Sequence, residues 1–123
     1  MKALLAIALT AAIAVPVYAD CTYPQSTPKV PDGATATLED MVAGQKAIGE
    51  YQKAINDYTA CIDKELDDAI TKGGDKLKPK EKEERQRVEA QKHNAAVDQL
   101  QAIADRFNEQ VKVYKARTAD KKG

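Results

Sequence analysis

The stretch that decides the fold is "EDMVAGQKAIGEYQKAINDYTACIDKE", residues 39–65. Met41, Ile48, Ile55 and Ile62 recur every seven residues, Ala69 continues the row, and Tyr51 and Tyr58 fill the intervening slots. A seven-residue apolar repeat with a second row three or four residues on marks a helix that packs lengthwise against another helix. Just upstream, Thr37 followed by Asp40 reads as a helix N-cap with an acidic first turn. No proline interrupts the pattern up to Lys72, so the first helix is predicted over about 37–72. Its length is then ~50 Å at ~1.5 Å per residue. The run "KGGDKLKP", residues 72–79, ends it: Gly73 and Gly74 supply the stop, and Pro79 suits the first turn of the next helix.

The second helix is predicted over about 79–117, with Val97, Leu100, Ile103, Ala104, Phe107, Val111 and Tyr114 on one face. The fold class is therefore all-α, a long antiparallel helical hairpin of coiled-coil character. Folding the chain at the glycine pair sets Met41 near Val111, Ile48 near Ala104, Ile55 near Val97 and Ile62 near Ala90. Residues 61–75 carry five acidic and two basic side chains, and residues 76–92 seven basic and four acidic. Both signs oppose the helix dipole, so pairing across the hairpin is the reading that best explains them.

Ahead of the helices the chain has two further parts. "MKALLAIALTAAIAVPVYA", residues 1–19, has one lysine, an apolar run, a proline and small residues before a cut after Ala19. That is the layout of a secretory signal, and its apolar run is shorter than the ~20 residues a membrane span needs. Residues 20–36, rich in Pro24, Pro28, Pro31 and Gly33, read as an extended arm. Residues 119–123 read as a frayed tail. Without Lys2 the 19 basic residues become 18 against 19 acidic ones, a formal charge of −1. Such a balance offers no bulk attraction to nucleic acid or to an anionic membrane, and no stable membrane insertion follows cleavage. The expected location is periplasmic or secreted.

Cys21 lies just past the predicted cut. Asp20 before it argues against lipid attachment, which needs a small residue there. The only other cysteine is Cys61, and an even count in an oxidising compartment favours a Cys21–Cys61 disulfide over two unpaired thiols. The reach allows it. Thr37 to Cys61 spans ~36 Å of helix, and the arm extends ~50 Å. A two-helix hairpin with one phenylalanine and no tryptophan has a thin core. The arm, tied back by the disulfide, or a second copy forming a four-helix bundle would cover its exposed side.

The run "DCTYP", the turn "VPDGATAT" and the helix quoted at the outset together resemble a group of small exported helical proteins of proteobacteria such as the xanthomonads, a group without assigned activity. The likeness covers about half the chain beyond the leader, and Cys21, Pro24 and Cys61 are its most specific elements. It implies an exported, mostly helical domain and carries over no catalytic residue.

Candidate chemistry is sparse. His93 is the only histidine and has no identifiable nucleophile to activate. Asp63 and Asp67, like Glu89 and His93, are spaced i, i+4, but interleaved lysines suit a solvated charged face better than a metal, and no haem, zinc or calcium motif is present. Tyr51, Tyr58 and Tyr114 read as core-edge residues. No cofactor, catalytic or metal residue is assigned. The expectation is a non-enzymatic envelope module, binding a protein partner or itself through either the weakly packed tip at Leu66, Ile70, Leu77 and Val88 or the outer helix faces. The rival is a metal-binding, small-ligand-binding or enzymatic protein centred on His93. An envelope chaperone or inhibitor is a third reading, by fold analogy alone.

Overall fold

The computed structural model describes residues 21–121. Residues 1–19, read above as a secretory signal, Asp20 and the last two residues lie outside the described residues. Two helices, α1 (Leu38–Gly73) and α2 (Pro79–Asp120), pack as a hairpin joined by a short 3₁₀ turn at Gly74–Lys76. Among the described residues there is no strand.

Each end of α1 follows from its local sequence. The Thr37 hydroxyl accepts from the Asp40 amide at 3.1 Å, and the Asp40 carboxylate accepts from the Thr37 amide at 2.8 Å. This reciprocal pair satisfies two donors that the helix itself cannot. At the other end Gly74 has φ +45°, a conformation that costs glycine little, and its N–H returns to the Ile70 carbonyl. Helix α2 starts at Pro79, as its fixed φ favours, and the Glu81 carboxylate accepts from the Lys78 amide at 3.1 Å. Its helical span reaches Asp120, three residues beyond the predicted end.

The seam between the helices is built on Tyr51 and Ile55 of α1 and Ala96 and Ile103 of α2, with Ile48, Tyr58 and Leu100 packed beside them. Met41 and Ile62 are also buried. On α2 Ile103 is buried and Leu100 packs against the core as expected, and the row departs from expectation only at its start, one residue earlier. Ala96 is fully buried, whereas Val97 is 43% exposed. The reason is size: Tyr51 and Ile55 fill the space opposite, and a methyl side chain fits where a valine would crowd them. Along the hairpin the expected register holds to within a residue. Phe107 lies 3.4 Å from where a Cβ on Gly44 would stand, and Asp63 meets Glu89.

The arm, residues 21–36, runs back along α1 to the disulfide joining Cys21 and Cys61, whose Cα atoms are 5.7 Å apart. It covers one face of the hairpin. Pro24 and Pro28 border Ala47, Glu50 and Ala54, while Val30 and Pro31 reach Ala43 on α1 and Arg106 on α2.

The opposite face has no such cover. Helical periodicity places there the rows one residue past the seam on each helix. On α1 these are Leu38, Val42, Gln45, Gly49, Gln52 and Asn56; on α2 they are Asn94, Val97, Gln101, Ala104, Asn108 and Val111. None is charged, in a chain that is 31% charged.

Candidate functional site: the hairpin tip

Past the disulfide the hairpin loses its third element. The described arm begins at Cys21, beside Cys61, so among the described residues 62–73 of α1 and the first turns of α2 stand as two helices alone. A groove of about 240 Å³ opens between them. Its floor is Ile62, Leu66, Ala69 and Val88, and Glu65, Arg85 and Lys92 stand at its rim. A second, wider groove of about 730 Å³ runs from the disulfide past Lys64, Asp68 and Lys72 to Leu77 and shares Glu65, Ala69 and Arg85 with the first.

The four tip residues named from the sequence divide between these surfaces. Leu66 and Val88 come together on the floor of the first groove, and Leu77 lines the second. Leu77 is also folded against the helix end, its Cβ 3.0 Å from where a Cβ on Gly73 would stand. Ile70 is half-buried and borders neither groove; its carbonyl caps the helix through the Gly74 amide. The sequence separation alone could not show that the 3₁₀ turn takes up Leu77.

Electrostatics at the tip differ from expectation. Among the described residues every ion pair runs within one helix, with Lys64–Asp68 at 2.7 Å and the pair Glu84–Arg87 being those of the tip. The predicted pairing of acidic α1 with basic α2 is absent among them. The register sets two acids level instead, and the long basic side chains turn along their own helix or into solvent. The Asp63 carboxyl beside Glu89, with burial, holds the Glu89 carboxyl above the ordinary range; the nearby His93 works in the opposite direction.

His93 itself is half-buried. Among the described residues no group of three or more His, Cys, Asp or Glu side chains is placed to hold a metal ion. The tyrosines serve the arm: Tyr23, which sequence reading passed over, meets Tyr58 edge-on at 5.2 Å and lies 3.1 Å from Tyr51 through the hydroxyls. Tyr114 stacks under the Arg117 guanidinium at 5.3 Å.

No helix among the described residues is long and apolar enough to cross a membrane. Comparison of the chain with protein-family models, with curated proteins and with solved structures finds no match in any of the three.

Proposed function

We propose that this chain is an exported, non-enzymatic helical module of the cell envelope that binds an amphipathic helix of a partner protein in its tip groove. The observation that carries the reading is the change in architecture at Cys61. Above it the arm makes a third layer over the two helices, and below it an apolar floor of Ile62, Leu66, Ala69 and Val88 has no cover among the described residues. Two antiparallel helices with an apolar floor and charged rims are the receiving half of helix-in-groove recognition. The uncovered part of α1 is ~18 Å long, room for about three turns of a partner helix. Export is supported by the leader-like segment 1–19 and by the disulfide, which belongs to an oxidising compartment.

The test is site-specific photo-crosslinking in the native envelope. A crosslinker at Leu66 is expected to give a discrete adduct whose partner peptide maps to an amphipathic helix, and Val88→Glu should abolish that adduct without lowering the melting temperature. The same adduct from a crosslinker at Lys53, on the outer side of α1, would overturn the reading, as would no adduct from Leu66.

A further inference from the structure

The charge-free face opposite the arm is separate from the tip groove. We propose that a second copy of this chain covers it, the two hairpins lying side by side and pointing the same way about a two-fold axis parallel to their length.

The first ground is charge. Charged side chains taken into a contact between copies lose their water, so the face that a second copy can cover is one that carries few of them. The outer sides of these helices are laced with charge, as Lys46–Glu50 and Lys53–Asp57 show. The face away from the arm carries none over its two rows, and still exposes Leu38 at 63%, Val42 at 57% and Val97 at 43%. Exposed apolar residues scattered singly are ordinary, but these share one face.

The second ground is fit. An axis along the hairpin keeps every residue at its own level, so α1 of one copy lies over α2 of the other. The levels are fixed by the contacts of position 44 with Phe107 and of Asp63 with Glu89. Extending that register to within one residue sets Val42 over Val111 of the second copy, Gln45 over Asn108, Gly49 over Ala104 and Gln52 over Gln101. Valine meets valine, amide meets amide, and the two smallest side chains meet at the middle. A Cβ on Gly49 would touch nothing within 4 Å in the single chain, so the space there is open for close approach.

The third ground is the tip. In this arrangement the acidic residues 61–75 of each copy lie over the basic residues 76–92 of the other, which answers the charge left unpaired within the hairpin. Turning one copy end for end would place α1 on α1 and leave that charge unmet. The shared face is ~30 Å by ~20 Å, or ~600 Å² per copy, somewhat below the ~800 Å² per partner of a standard interface, so the association is reversible.

Sedimentation equilibrium of the oxidised full chain tests this. The parent is expected to be a dimer at about 100 µM, with a dissociation constant in the micromolar range. Gln52→Lys and Gln101→Glu are exposed changes that leave the single chain folded, which its melting curve checks. Each alone should weaken self-association at least ~10-fold by placing an unpaired charge in the contact. An equimolar mixture of the two should recover it, because Lys at 52 of one copy then faces Glu at 101 of the other. A monomeric parent, variants that associate like the parent, or a mixture that stays monomeric would each overturn the proposal. The peptide captured from Leu66 keeps the two readings apart: an adduct with another protein supports the tip groove whatever the oligomeric state, whereas an adduct with residues 76–92 of a second copy supports the dimer and overturns the tip reading.

Discussion

The hydroxyl of Tyr23 lies 3.1 Å from that of Tyr51, across 28 residues of sequence, and joins the arm to the most buried ring of the core. Tyr51 would otherwise hold a phenol oxygen away from water with nothing to bond. Tyr23→Phe should therefore cost ~1–2 kcal/mol, through the lost hydrogen bond and the stranded Tyr51 hydroxyl. Tyr23→Ala also removes the edge-on contact with Tyr58 and should cost ~3 kcal/mol. Urea denaturation of the two variants beside the parent checks the order; equal losses would assign the whole effect to the hydrogen bond.

The same bond gives an alkaline signature. Burial, helped by the hydrogen bond to Tyr23, pushes the Tyr51 phenol up to about 12 from an ordinary value of 10.0. Between those values the folded chain keeps a proton that the unfolded chain releases, so stability falls as pH rises through this window. Tyr51→Phe should lower stability at neutral pH yet flatten the decline from pH 10 upward, as melting temperatures across that range would record.

The Cys21–Cys61 bridge closes a loop with a sequence separation of 40. In the chain-entropy account, opening it removes ~4 kcal/mol. For a chain of about this size that is a drop in melting temperature of roughly 15–25 °C. The same drop in Cys21→Ser/Cys61→Ser, compared with reduced parent, would show that the cross-link and not the reductant is responsible.

Gly33 is where the arm presses on α2. Its amide donates to Gln110 Oε1 at 2.8 Å, and a Cβ added there would lie 2.0 Å from the Gln110 carbonyl oxygen. Helix backbone cannot yield as a side chain can, so Gly33→Ala should lift the turn at 32–35 off the helix at a cost of ~2 kcal/mol or more. Faster amide exchange at Gly33 and Ala36 is the local readout. Gln110→Ala should produce a milder form of the same change, of ~1 kcal/mol.

Glu89 has the opposite linkage from the surface carboxylates. Asp63 and partial burial hold its carboxyl above the ordinary 4.5, so the folded chain binds its proton more firmly and stability falls as pH rises from that value. Asp40, held low by hydrogen bonds from Thr37, adds stability above its ordinary 3.8 that is lost as pH falls. Glu89→Gln should raise the melting temperature at neutral pH by ~2 °C, the scale of a sub-kcal/mol gain. The gain should vanish at pH 4, and a gain that persisted there would mean packing and not charge.

Much of this architecture was legible because it is written in strict local periods. The row from Met41 to Ile62, the Thr37–Asp40 cap and the stop at Gly74 depend on neighbours in sequence, and each is realised. On α2 two apolar rows lie side by side, and only the bulk of Tyr51 and Ile55 across the seam decides that Ala96 turns inward and Val97 outward. The Tyr23 contacts and the pressing of Gly33 on Gln110 rest on where the arm lands, which no period encodes. At the tip, Leu66, Ile70 and Leu77 stand out in the sequence for their lack of apolar partners across the hairpin, whereas the place each takes, Leu66 in the groove with Val88 and Leu77 against Gly73, depends on the turn geometry.

The position of the bridge also decides how the molecule would bear a pull. Tension applied at the N-terminal end passes through the sulfur atoms straight into the middle of α1, so the arm and the first two-thirds of that helix carry none of it. The loop, with its sequence separation of 40, cannot be drawn out, which shortens the fully stretched chain by ~140 Å at ~3.5 Å per residue. The load runs instead through residues 62–73, the turn and the whole of α2, so α2 can be drawn away while the arm and the first two-thirds of α1 stay looped together until the bond is reduced.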